Sequence, residues 1–132
     1  MRPSDRNELN CAPLAGLRIL LAEDDFLIAL DMEATLQALG CVVVGPARAV
    51  REIADFAGST HLDGALLDVR LGDDTIDGVL PTLVDRGVRV ILSSGYDEKA
   101  LAAKYQGLAV LAKPYTGEAL RAACERVFLG AR

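Results

Sequence analysis

Five short apolar runs recur along the chain, at residues 17–22, 41–44, 65–67, 88–92 and 108–112. None alternates cleanly between apolar and polar positions, and several are rich in Val, Ile and Leu. Continuous runs of this length suit strands covered on both faces, as in a parallel sheet. Helical spacing fills the gaps between them. Ile28, Met32, Leu36 and Leu39 recur at intervals of 4, 4 and 3, one face of a helix that stops at Gly40. Val50, Ile53, Ala54 and Ala57 form a second stripe ending at Gly58. Val79, Leu80, Leu83 and Val84 form a third, ending near Gly87. Asp97 is placed to cap a fourth helix reaching Tyr105, and Thr116 to cap a fifth with Leu120, Ala123, Cys124 and Val127 inward. Five β-α alternations predict an α/β fold, a doubly wound five-stranded parallel sheet of (βα)5 type, because parallel strands need right-handed crossovers.

Composition narrows this picture. The 132 residues match one domain, and 52% apolar content can fill its core. Residues 1–16, with two Pro and two Asn, read as a flexible tail, leaving 17–132 as the domain. The net charge of -5 and pI near 4.8 disfavour nucleic acid, whose phosphates call for a basic face. No apolar stretch is long enough to span a membrane, and the N-terminus lacks the apolar centre of a signal peptide. Cys11, Cys41 and Cys124 match no zinc spacing, and an odd count suits a reducing compartment, so a cytoplasmic location is expected. Cys41 and Cys124 sit among apolar residues and read as small core side chains.

In open α/β sheets, sites form beyond the carboxyl ends of the strands. There the chain places Glu23, Asp24 and Asp25 after the first strand and Asp68 after the third. Ser93, Ser94 and Gly95 follow the fourth, and Lys113 and Pro114 the fifth. Carboxylates converging at one edge repel one another, and a hard divalent cation relieves that repulsion. Mg²⁺ is the usual occupant where a phosphoryl group also binds. A carboxylate oxygen can attack phosphorus to give an aspartyl phosphate, a reaction that mainly needs positioning and charge neutralisation. A lysine, a serine hydroxyl and a metal together supply both. Taken alone, each residue has a plainer reading: Asp25 and Asp97 as helix caps, the serines as turn residues, Lys-Pro as a loop. Their co-occurrence at four strand ends argues against coincidence. Asp73, Asp74 and Asp77 read mostly as solvated loop and helix cap, and His61 as a surface residue.

The segments "ILLAEDD" (19–25), "ALLDVRLGDDTIDG" (65–78), "VILSSGYD" (90–97) and "VLAKPY" (110–115) resemble the receiver domains of bacterial response regulators. The resemblance runs over residues 17–128. It implies the flavodoxin-like receiver fold, with Asp68 as phosphoacceptor. It implies a Mg²⁺ site from Glu23, Asp24, Asp68 and the backbone carbonyl of Arg70, with Asp24 a direct ligand. Ser94 corresponds to the hydroxyl that follows the phosphoryl group, Lys113 to the lysine that pairs with it, and Gly95 and Pro114 support them. The phosphoryl donor would be a histidine kinase or a phosphotransfer protein. "SSGYD" is similar to the "TGY" segment of stand-alone receivers in alphaproteobacterial stress signalling. Two features depart from the common pattern: Val110 stands where many members carry a rotating aromatic, and the loop from Asp68 to Gly78 is long. The expected output face comprises the fourth helix, fifth strand and fifth helix. Near Val110 and Tyr115 it would take a downstream protein partner or, as a homodimer, a second copy.

Other readings are weaker on the residues. A haloacid-dehalogenase phosphatase would carry a second Asp two positions after its nucleophile, where this chain has Arg70. A flavodoxin-like cofactor binder would need a Gly-rich or hydroxyl-rich loop after the first strand, where Glu23 and Asp24 repel phosphate. An interaction module with a lost phosphorylation site conflicts with the intact set Asp24, Asp68, Ser94 and Lys113. A truncated multidomain regulator fits the same residues.

Overall fold

The computed structural model describes residues 12–95, 98–105 and 107–130. Its main sheet holds β1 (Arg18–Ala22), β2 (Val42–Ala47), β3 (Gly64–Asp68), β4 (Arg89–Ser94) and β5 (Ala109–Ala112), in the order β2-β1-β3-β4-β5. All four neighbouring pairs are parallel. The helices are α1 (Phe26–Ala38), α2 (Val50–Ser59), α3 (Leu80–Asp85), α4 (Glu98–Lys104) and α5 (Gly117–Phe128). This is the flavodoxin-like arrangement the sequence predicts, a (βα)5 sheet covered on both faces.

The apolar runs of the strands divide between two core layers. Leu20, Ala65, Leu67, Val90 and Leu92 pack with Ile53, Leu83 and Tyr105, from α2, α3 and the end of α4. Ile19, Leu21, Leu66 and Ile91 pack on the other face with Met32, Leu36, Leu120 and Phe128, from α1 and α5. Successive strand side chains point to opposite faces, so a run apolar at every position can feed both layers. Central β3 is buried throughout.

Helix ends follow local chemistry. Asp25 Oδ1 accepts hydrogen bonds from the Leu27 and Ile28 N–H groups and caps α1, as its position suggests. Gly40, at φ 93°, ends that helix while the Cys41 N–H donates to the Leu36 carbonyl, a Schellman closure. Thr116 caps α5 by accepting from the Ala119 N–H. Asp97 lies outside the described residues. Val84, assigned inward by spacing, is 45% exposed, while the other members of its stripe, Val79, Leu80 and Leu83, are buried.

Two features have no counterpart in the sequence pattern. Residues 70–75 form a small antiparallel hairpin, Arg70–Leu71 against Asp74–Thr75, followed by a single 3₁₀ turn at Ile76–Gly78. And Leu14, expected in the flexible tail, is buried, with the Leu14 N–H bonded to the Leu39 carbonyl and the Gly16 N–H to that of Gly40. Residues 1–11 of that tail lie outside the described residues. Among the described residues, no helix is long and apolar enough to cross a membrane.

Candidate functional site

β1 and β3 are adjacent, so their carboxyl ends deliver Glu23, Asp24 and Asp68 to one place. One carboxylate oxygen from each lies within 4.8 Å of the others. β5 ends two strands away from β3, and Lys113 reaches back across the gap. Its Nζ lies 2.8 Å from Glu23 Oε1 and 2.9 Å from Asp68 Oδ2. Glu23 is 1% exposed and Asp68 9%, so these are pairs shielded from much of the solvent.

Enclosure sets the protonation balance. Burial raises the Glu23 carboxyl above its ordinary range, while the bonds from Lys113 and the Asp25 N–H pull it back and the Asp68 charge adds to the rise. Burial works against the charge on Lys113, but its bonds to Glu23 and Asp68 outweigh that and hold the ammonium more firmly than usual. The site thus contains one firmly protonated cation among three acids. The acids are hard oxygen ligands of the kind Mg²⁺ takes, and the donor set fits such an ion.

The rest of the predicted set lies around this centre. The Arg70 N–H is 3.3 Å from Asp68 Oδ1. Ser94 is 1% exposed at the end of β4, and its carbonyl accepts the Lys113 N–H at 2.8 Å, so the serine and lysine loops are joined by backbone. Gly95 is exposed just beyond Ser94, and Pro114 is exposed after Lys113. Val110 and Tyr115 are not brought together: Val110 packs in the layer beneath α4, and Tyr115 in the layer beneath α1 and α5. The phenol of Tyr115 points inward, where burial pushes it up to about 12 despite the nearby Ser93 hydroxyl. Among the described residues, neither that phenol nor Ser93 Oγ completes a hydrogen bond. Val110 and Tyr115 thus border the expected output face from opposite sides of the sheet.

Three contacts, two at Asp24 and one beyond the hairpin, are not apparent from the sequence. Arg48 Nη2 donates to the Asp24 carbonyl at 3.2 Å. The Gly72 N–H, at the turn of the hairpin, donates to Asp24 Oδ2 at 2.8 Å. Asp77, expected as loop or cap, accepts from the Tyr105 hydroxyl and pairs with Lys104 Nζ at 3.0 Å. A backbone N–H leaves no mark in a sequence, and Asp77 and Tyr105 are 28 positions apart.

No family model matches the chain. It is 37% identical over 101 residues to the phyllosphere-induced regulator PhyR of Methylorubrum extorquens, covering 74% of this chain and 38% of that protein. The crystal structure of the response regulator PhyR from Brucella abortus superposes with a TM-score of 0.80 at 25% identity, over 95% of this chain and 53% of that one. A response regulator receiver protein from Sinorhizobium medicae shares the fold over 98% of its own length, at a TM-score of 0.75 and 24% identity, with 89% of this chain covered. The chain spans about half the length of the PhyR structure, and less of the curated PhyR.

Proposed function

The chain belongs to the receiver domains of bacterial response regulators, and from that premise we propose that Asp68 accepts a phosphoryl group from a histidine kinase or a phosphotransfer protein. The receiver would comprise residues 17–132. The observation that carries the reading is Lys113, bridging Asp68 and Glu23 beside a cluster of three carboxylates. Asp68 Oδ would form the new bond to phosphorus as the phosphorus–nitrogen bond of the donor histidine breaks. The ammonium of Lys113 would then transfer from the Asp68 carboxylate to the phosphoryl oxygens, where charge neutralisation matters most. Ser94, tied to Lys113 through its carbonyl, would supply a hydroxyl to the same oxygens.

Glu23, Asp24, Asp68 and the carbonyl of Arg70 would hold Mg²⁺, which supplies neutralisation of the phosphoryl charge when bound. On this reading the protein is a cytoplasmic phosphoacceptor and not a turnover enzyme. Its signal leaves through a protein partner, or it serves as a phosphate sink within a phosphorelay. The output face of α4, β5 and α5 would take that partner or a second copy. The test is incubation with acetyl phosphate and Mg²⁺, followed by intact mass and peptide mapping. An acid-stable, base-labile adduct on Asp68, absent in Asp68→Asn, supports the reading. Equal labelling of Asp68→Asn would reject Asp68 as the acceptor.

A further inference from the structure

The hairpin at residues 70–75 is held at both ends by groups that belong to different parts of the molecule. At its turn, the Gly72 N–H donates to Asp24 Oδ2 at 2.8 Å. At its exit, Asp77 is gripped by the Tyr105 hydroxyl and by Lys104 Nζ at 3.0 Å, both at the C-terminal end of α4. Lys104 also lies 5.2 Å from the centroid of the Tyr105 ring. The grip is electrostatic in character: the Tyr105 bond and then the Lys104 pair hold the Asp77 carboxyl below its usual range.

Between the two ends the segment has little freedom. Leu71 is 2% exposed and Ile76 fully buried. The Val69 N–H donates to the Ser93 carbonyl, and the Ile76 N–H to that of Val69, each at 3.0 Å. Two buried apolar anchors and two backbone bonds hold the segment as one unit. Asp77 at its exit and the Gly72 N–H at its turn are thus joined through one ordered segment.

We propose that Asp77, Tyr105 and Lys104 are positioning residues for the cation site, acting through the hairpin and the Gly72 N–H on the orientation of Asp24. The inference rests on the reading of Glu23, Asp24 and Asp68 as a Mg²⁺ site. A carboxylate with one oxygen held by a fixed donor presents the other in a set direction, which is how groups behind a metal ligand tune affinity. Coupling of this kind is reciprocal. If the α4 contacts strengthen cation binding, cation binding strengthens the α4 contacts. The long loop after Asp68 thereby connects the acidic cluster to the output face without using the phosphoryl group.

The test compares Mg²⁺ titrations by calorimetry for the wild type, Tyr105→Phe, Asp77→Asn and Asp73→Asn. Tyr105→Phe removes one donor and no charge. Asp73→Asn removes the same charge as Asp77→Asn, but from the exposed turn of the hairpin. Loss of a group directly behind a metal ligand costs about 10- to 100-fold in affinity, and these residues sit one step further out, so a loss of about 3- to 10-fold is expected for Tyr105→Phe and Asp77→Asn. Asp73→Asn should stay within about twofold. Hydrogen exchange supplies the second readout: Mg²⁺ should slow exchange in residues 98–105 of the wild type, and should not in Tyr105→Phe. Thermal melts of the variants separate this from unfolding. Wild-type affinity in a folded Tyr105→Phe, with Mg²⁺ protection of 98–105 intact, would overturn the coupling and leave the cation site standing. No Mg²⁺ binding by the wild type would overturn both.

Discussion

At the scale of single residues, Glu23 is the acid whose protonation matters most to the carboxylate cluster. It is nearly enclosed, and burial holds its carboxyl above the ordinary 4.5. A folded-state pKa above the unfolded one means stability that is present below about 4.5 and lost as pH rises through the folded value. Metal-free protein should therefore lose stability as pH rises above about 4.5 through the raised value of Glu23. Mg²⁺ should restore it at neutral pH. Glu23→Gln should flatten that pH slope and respond less to Mg²⁺. Thermal melts in EDTA and in Mg²⁺ across this range check both. An unchanged slope in Glu23→Gln would assign it to another group. The type and place of Glu23, Asp68 and Lys113 are legible because each stands just past an apolar run and strand ends are where such sheets put their chemistry. Ser93 is not legible in the same way. A run apolar at every position does not reveal which face each member takes, so nothing marks Ser93 Oγ as buried beside the Tyr115 phenol.

At the scale of elements, α1 shows how a cap and a site can share one acidic stretch. Its sequence, FLIALDMEATLQA, has apolar residues around much of the helix, and Phe26, Leu27 and Leu30 are all more than half exposed. With neither an acidic first turn nor a basic last turn, its ends depend on Asp25 and Gly40. Asp25→Ala should cost about 1 kcal/mol of stability through the lost cap. It should leave acetyl phosphate labelling of Asp68 within about twofold, since the Asp25 bond to Glu23 comes from its backbone. Urea unfolding and labelling on the same sample decide the matter: labelling lost in a well-folded variant would move Asp25 into the site. The caps of α1 and α5 are legible because Asp25 and Thr116 act within three residues of themselves. The hairpin is not. Two-residue strands are too short to show a period of two, and their order comes from Leu71 and Ile76 entering the core and from Gly72 meeting Asp24 across 48 positions of chain. The acidic residues in between give a solvated-loop pattern that holds for Asp73, Asp74 and Asp77, all exposed, but does not reveal the bonds of Asp77 to Tyr105 and Lys104.

At the scale of the whole molecule, the two layers of the core make phosphorylation a mechanical question about the edge of the sheet. Lys113 is held by two carboxylates, and phosphorylation of Asp68 would remove one of those charges while offering phosphoryl oxygens further out. The backbone N–H of Lys113 is bonded to the Ser94 carbonyl, so any part of a shift toward those oxygens that reaches the Lys113 backbone is passed to the loop after β4. The loops after β4 and β5 should therefore move together. Val110 is half-buried in the layer under α4, and a β-branched side chain has few rotamers to exchange. The displacement must then be carried by backbone, toward α4 on one side and toward Tyr115 and α5 on the other. With Mg²⁺ and beryllofluoride as phosphoryl mimic, hydrogen exchange should change by about tenfold, ~1.4 kcal/mol of local opening, in segments within 94–128. Over Val50–Ser59 it should change by less than about twofold. Asp68→Asn should show neither change. If the effect falls on α1 instead, with 94–128 silent, the Lys113–Ser94 bond is not the route. If 98–105 responds but 109–128 does not, the sheet edge divides the output as it divides Val110 from Tyr115, and the docking surface is α4 alone.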